Sequence, residues 1–524
     1  MGASEKGAYR PTRRAAAGLL GGALASLSAA GTALGQAANT PQAAIQAALG
    51  EGQKFSAGGV VELARALARR PFAPQPNDLP EPFAGLNFEQ YVAIKAQPSA
   101  RIWENEGRGF VVEPLPRGFV FTTGVTLFTV EDGMVRRVLF DRNRYDFGAL
   151  TVPANTPDLG FSGFRLTSTA GGSAPLDFAI VQGATFFRAL ARGQTFGAVA
   201  RALTLKPAET RGEEFPIFRA FWIERPVAGT NAILVHGLID SESVTGAVRM
   251  TFRPGEATIV DVETTLFPRV NLEHVGLGGV GATFLFGPNV RRGTDDVRPA
   301  VYDAAGLQML NGRGEWLWRP LNNPDMLQIS AFVDENPRGF GLLQRERDPL
   351  FFQDDAGQPE RRPSVWIEPI GEWGQGAVQL IEIPSDSEVN DNILAYWRPR
   401  APMAAGSEVS LAYRQFWSWV PPERPNLAAV AATRSGRGGG GRRRRFLVEF
   451  AGEALATPQP ELRPAVSAGS GAISNVRVWA NPERKTVRVA FDLDPGGENA
   501  CELRLLLQAG QRPISETWLY RWTP

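Results

Sequence analysis

The stretch GFVFTTGVTLFTVEDGMVRRVLF (residues 118–140) sets two β-branched and aromatic runs on either side of Glu131-Asp132-Gly133. Asp-Gly between such runs is a short-range hairpin signal, because a tight turn needs positive φ and these two residues tolerate it. Similar short runs follow at Phe164–Thr167, Phe218–Glu224, Asn231–Ile239, Ala247–Phe252, Ala257–Thr265, Thr283–Phe286 and Trp316–Arg319, punctuated by Gly, Pro and Asn. Between them only Phe186–Ala191 and Phe196–Leu203 read as helix. The pattern is that of a long antiparallel, all-β sandwich.

On the N-terminal side, Ser56–Arg70 carries apolar residues at helical spacing (Val60, Leu63, Leu67) and is stopped by Pro71. A second short helix is expected over Asn87–Ala96, with Asn87 as its cap. Residues 39–54 read as a disordered or weakly helical spacer. Residues 1–38 place Arg10, Arg13 and Arg14 before an Ala- and Gly-dominated apolar run. Such weak hydrophobicity behind paired arginines fits a cleaved twin-arginine export signal better than a membrane anchor.

Near residue 400 the texture changes. Ser407–Trp417 reads as a strand, and Pro421 to Arg445 as an irregular tract ending in GRGGGGRRRR (436–445). No Lys-Ser/Thr follows these glycines, so this is no phosphate loop; a solvated flexible loop is the expectation. Beyond it, Val487, Val489, Phe491 and Leu493 alternate with Arg488, Ala490 and Asp492, marking a half-buried strand. With Asn475–Ala480, Glu502–Gln508 and Thr517–Trp522 it suits a small immunoglobulin-like sandwich. The expected division is 1–38 as signal, 39–400 as a large N-terminal β-sandwich, and 401–524 as the C-terminal domain.

Composition narrows the chemistry. The 524 residues hold 55 Lys+Arg against 54 Asp+Glu, without the basic excess of a nucleic-acid protein. One cysteine (Cys501) and two distant histidines (His236, His274) give no basis for a disulfide, a zinc site or a Ser-His-Asp triad. No cofactor is called for. Between Phe351 and Trp397 the chain concentrates Trp366, Trp373 and Trp397 with Glu382, Asp386, Glu388 and Asp391. Aromatic faces beside carboxylates are what a sugar site uses, since rings stack on pyranose C–H faces while carboxylates bind hydroxyls or move protons. The competing reading is that these tryptophans are core and the acids solvated.

Long strings carry a resemblance. GATFFRALARGQTFGAVARAL (183–203), GEEFPIFRAFWIERP (212–226), DDVRPAVYDAAGL (295–307), GFGLLQRERD (339–348) and ERRPSVWIEPIGEWGQGAVQLIEIP (360–384) resemble the periplasmic glucan biosynthesis proteins, types D and G. These make osmoregulated periplasmic glucans. The twin-arginine segment leans toward the D type. The resemblance implies a galactose-mutarotase-like N-terminal β-sandwich with a carbohydrate cleft, joined to an immunoglobulin-like sandwich. It implies a β-1,2-glucan ligand, the membrane glucan synthase as partner, a homodimer as the oligomer to test, and inverting β-1,2-glucan hydrolysis. A non-catalytic assembly factor and a transglycosylase are the alternatives.

Residue by residue, the family's Glu-x-x-Asp-Asn-Ile motif falls on Glu388 to Ile393. That puts Asp391 at the general-acid position, with Glu388 in support. Asp303 takes the general-base position, Tyr302 and the three tryptophans become candidate sugar contacts, and Arg361 and Arg362 either pair with nearby acids or bind sugar hydroxyls. Family members read His-Asp-Ser-Asp-Gly where this chain has Tyr302-Asp303-Ala304-Ala305-Gly306. An inverting pair stands about 6.5–9.5 Å apart to admit a water. In this family the base is thought to act through a substrate hydroxyl, which permits a longer gap.

Overall fold

The computed structural model describes residues 40–76, 78–169, 174–290, 295–389, 391–423 and 425–524; the signal segment lies outside them. It divides into two compact units: Met1–Gly279 with Ile370–Glu372 and Tyr396–Ser418, and Val280–Pro369 with Trp373–Ala395 and Trp419–Pro524.

The first unit is built on the hairpin. Thr126–Glu131 pairs with Met134–Arg137, Glu131 opposite Met134, and the turn residues Asp132 and Gly133 take φ of 51° and 77°. Ile217–Glu224 lies parallel to Thr126–Glu131, and an antiparallel run continues through Ile233–Asp240, Val244–Arg253, Ala257–Pro268 and Val409–Ser418. Helices α1 (Pro41–Leu49) and α2 (Ala57–Ala68) cover one face of this sheet. Their Leu49, Val60, Leu63 and Leu67 pack on Phe128, Trp222, Leu238 and Phe267. The spacer expected over 39–54 is thus largely a helix, capped by Thr40. The Trp222 indole donates to the Leu49 carbonyl at 2.8 Å, satisfying an orphan acceptor at the end of α1.

The other face meets a second sheet made from Phe110–Pro116, Phe161–Ser168, Leu176–Gln182, Phe186–Ala189 and Val199–Arg201. Phe164 meets Phe221 edge-on at 5.1 Å, and Phe187 reaches Phe252 and Trp417. Successive residues of a strand face opposite sides, so Phe221 serves the second sheet and Trp222 the helices. With both sides covered, Phe218–Ile223 is buried without alternation, Arg219 included, paired with Asp240.

The helices expected over 186–191 and 196–203 are strands instead. Phe186 pairs with Arg201 and Phe187 with Ala200. Ala, Leu and Arg favour helix locally, but burying Phe187 between two sheets while Phe186 faces away demands a period of two; tertiary packing overrides propensity.

In the second unit Gly306–Leu310 pairs with Trp316–Pro320 and Gly339–Leu343. Thr517–Trp522 joins the same sheet, Thr517 pairing with Leu317, and carries Cys501–Ala509 and Leu462–Ala468 with it. A four-stranded sheet of Ala429–Arg437, Arg444–Ala451, Thr486–Asp494 and Ala472–Asn481 completes a sandwich. Phe446 stacks on Phe491 at 5.3 Å, with Trp518 edge-on to both.

The Arg/Gly tract is no irregular loop. It forms the end of a hairpin in which Arg437 pairs with Arg444. Its arginines are spent locally: Arg445 holds Asp492 at 2.7 and 2.9 Å, Arg443 holds Asp494 at 2.9 Å, and Arg442 donates to the Gly496 and Glu498 carbonyls. Asp492 and Asp494 lie two apart on one strand face, which is why a run of arginines can be ordered there.

Chiefly through Arg445, but also through Asn475, the Asp492 carboxyl is held down to about 2. Its contribution to stability is therefore complete above the ordinary aspartate range and is lost as the pH falls through about 2. Asp492→Asn should melt below the wild type at pH 7, and the gap should close as the pH approaches 2, as followed by thermal melts.

Candidate active site

The short strand Phe284–Phe286 is the spine of the candidate site. On one edge, Asp303 N–H donates to the Thr283 carbonyl at 2.8 Å, and Thr283 N–H returns to the Asp303 carboxylate at 3.3 Å. On the other edge Asn392 acts as a surrogate strand. Its side-chain oxygen accepts from Phe284 N–H at 2.8 Å, and its amide donates to the carbonyls of Phe284 (2.9 Å) and Ile383 (3.0 Å). Asp391 is the residue before Asn392 and is half-buried. The two candidate catalytic residues therefore flank a single strand.

The Asp303 carboxylate is buried and paired with Arg362, whose guanidinium also reaches the Tyr302 carbonyl. The charged chain continues beyond this pair. Arg298 donates to Asp296 at 2.7 and 3.0 Å, to Asp354 at 3.1 Å and to Glu388 at 3.1 Å. These acids, Asp296 foremost, raise the Arg298 pKa far above its ordinary value. Burial pushes the Asp354 carboxyl up, but the Gly357 N–H, Arg298 and Arg362 together bring it below its usual value. Asp303, Arg362, Asp354, Arg298 and Glu388 thus form one line of alternating charge from the candidate base to the loop of the candidate acid. All are partly open to solvent, with side-chain exposures between 10% and 28%. Such groups are suited to binding hydroxyls, as donors and acceptors alternate along the line.

Glu388 is consequently an ion-paired residue. Of the adjacent arginines, Arg362 contacts Asp303, whereas Arg361 donates to the Gln358 side chain at 3.1 Å.

The tryptophans separate. Trp366 is buried, stacked on Trp316 at 5.8 Å and bonded to Glu368. Trp397 is fully buried in the first unit, and Trp373 is half-buried against Phe340. Trp366 and Trp397 are therefore core and present no ring to a ligand. Glu382 is also no site acid: it is fully buried, held by Arg319 at 3.1 Å and Asn322 N–H at 2.7 Å, and burial raises its pKa.

Tyr302 is turned away from this charged line. It stacks on Phe284 at 5.4 Å and lines a cavity of about 870 Å³ with Phe351, Trp318, Trp419, Arg345 and Glu346. Burial, followed by the field of Glu346, pushes its phenol well above the ordinary range. Burial likewise lowers Arg347, in the same wall, to about 10. Sequence reasoning missed Arg298, Asp354 and Glu346, although Arg298 and Glu346 stood inside quoted strings. Only the fold shows that an isolated Arg and an Asp 56 positions later meet.

Residues 55–522 match the family described as periplasmic glucan biosynthesis protein, MdoG. The chain belongs to this family. A relative from Bradyrhizobium diazoefficiens is 44% identical over 495 residues, covering 94% of this chain and 98% of the relative. One from Shewanella sp. is 45% identical over 474 residues (90% and 87%), and one from Vibrio cholerae 44% over 469 (88% and 86%). All three bear the name glucans biosynthesis protein G. The lean toward the D type, which rested on the signal segment alone, gives way to the G designation. The family match spans most of both units, so the chain is a periplasmic glucan biosynthesis protein from α2 to its final strand.

Asn392→Ala leaves one N–H and two carbonyls without their side-chain partner. It should cost about 2–4 kcal/mol, given ~1–3 kcal/mol for each buried polar group left unsatisfied and partial rescue by water. Denaturant unfolding measures this, and Asp391→Asn, which spares the amide, should unfold near the wild-type midpoint.

Proposed function

We propose that this protein acts on the β-1,2-glucan backbone as an inverting hydrolase, with Asp391 as general acid and Asp303 as general base. The observation that carries the reading is the placement of Asp303 and of Asn392, the neighbour of Asp391, on opposite edges of Phe284–Phe286. A single displacement by water needs about 6.5–9.5 Å between the two carboxyl groups, whereas a retaining pair stands only about 5–5.5 Å apart.

The roles follow from the surroundings. Arg362 and Thr283 N–H fix the Asp303 carboxylate from two directions, so it can accept a proton without first reorienting. Asp391 is half-buried and precedes Asn392, whose side chain is held by Phe284 and Ile383. The acid protonates the glycosidic oxygen as the bond to C1 breaks. The base takes a proton from water, directly or through a glucan hydroxyl, as the new C1–O bond forms on the opposite face. The Arg298 line offers hydrogen-bonding partners for sugar hydroxyls on the way. Export by the twin-arginine route would deliver the folded chain to the compartment in which its family works.

Purified protein incubated with linear β-1,2-glucan should give shorter chains whose new reducing ends appear first as the α-anomer, seen by proton NMR. Asp391→Asn and Asp303→Asn should each lower the rate by at least about 10²-fold while glucan binding persists. Products appearing as the β-anomer would overturn the inverting assignment. Binding without cleavage by the wild type would leave a glucan-holding assembly factor.

A further inference from the structure

The first unit contains a cavity of about 520 Å³ that the reading above does not use. Every residue lining it belongs to that unit, while Asp303 and Asp391 belong to the other. Its volume lies in the range of small-molecule sites.

One wall is aromatic and stiff. Phe186 meets Phe215 edge-on at 6.1 Å, and the Arg201 guanidinium backs both rings at 5.2 and 5.9 Å. Phe218 and Phe221, at 4.4 Å from each other, extend the same surface.

The polar side is specific in its direction. Gln182 lines the cavity and is only 7% exposed. Its amide nitrogen donates to Tyr91 Oη at 2.7 Å and to Ser162 Oγ at 2.8 Å. Both hydroxyls give their own hydrogen to the Pro116 carbonyl, at 2.9 and 2.8 Å. Each must therefore accept from Gln182, and this fixes which way the amide points. Its carbonyl oxygen takes no hydrogen bond among the described residues and is left as an acceptor on the cavity wall.

The floor mixes acids and bases. Glu213 is paired with Arg201. Glu214 is paired with Lys206 at 2.8 Å and accepts from Ser243 N–H and Oγ. Burial pushes Glu214 up, but Lys206 and the serines bring it below the usual glutamate value. With Glu213 and Glu214 matched, the remaining lining acids are Glu209, which meets His274 Nδ1 at 3.1 Å, and the exposed Glu242, with Arg211 as a further cation. The open acceptor asks for a hydroxyl or N–H donor, and the rings ask for an apolar face. A neutral pyranose has both.

We propose that this cavity is a second saccharide site, holding a short stretch of glucan against Phe215 and Gln182 without cleaving it. The assignment rests on the cavity's own chemistry and survives if Asp303 and Asp391 prove not to be catalytic.

Titration calorimetry of the full chain with linear β-1,2-glucotetraose, in the Asp391→Asn background to spare the ligand, tests it. Two binding events are expected. Gln182→Leu, and independently the rim substitution Phe215→Ala, should weaken one of them at least tenfold and leave the other unchanged. In the otherwise wild-type chain neither should alter the cleavage rate at saturating glucan. Thermal melts identify which variants remain folded, and Phe215→Ala carries the test should Gln182→Leu fail to fold. Folded variants with both events unchanged would overturn the proposal. So would displacement of the Gln182-dependent event by choline or spermidine, which would make the site one for cations. Loss of cleavage in the wild type with this event intact would count against the carboxylate pair alone.

Discussion

The pairing of the Asn392 side chain with the Phe284 backbone is the constraint on which the candidate site depends. Asn392 supplies both an acceptor and a donor to one residue, copying the exchange that a neighbouring strand would make. Its second donation, to Ile383, ties the loop's two ends together. The chain from Ser385 to Asp391 can then be irregular while Asp391 itself stays placed. The other edge of the same strand receives Asp303, so the two carboxyl residues flank one strand.

Arginines perform the electrostatic work around that spine. Arg298 gathers three carboxylates, and Arg362 takes Asp303. Guanidinium forks suit this task, since one planar group can serve several carboxylates at once. The same device recurs at Arg201 in the first unit and at Arg445 in the C-terminal hairpin, where a basic run that reads as free charge is neutralised by acids two positions apart.

Much of the architecture was legible in order. The 118–140 hairpin, the helix opened by Ser56, the capped helix after Asn87 and the alternating strand at 486–494 all appear where their local signals put them. Each depends on contacts within a few residues: a turn, a cap, a period. The segments that departed are those where local and distant demands conflict. Phe186–Ala189 has helix-forming neighbours but a phenylalanine on each face, and only the second sheet explains why it extends. The Arg/Gly tract lacks periodicity of its own, and the aspartates that order it lie some 50 positions further on.

By itself the sequence determined the all-β class and the family, and it nominated Asp303 and Asp391 as candidates, because these rest on local pattern and on long strings. Tertiary structure alone decided that Trp366 and Trp397 are core, that Glu388 belongs to Arg298, and that Arg362 faces Asp303. Burial and ion pairing are made between positions far apart in the chain, and a one-dimensional pattern does not record which distant group arrives.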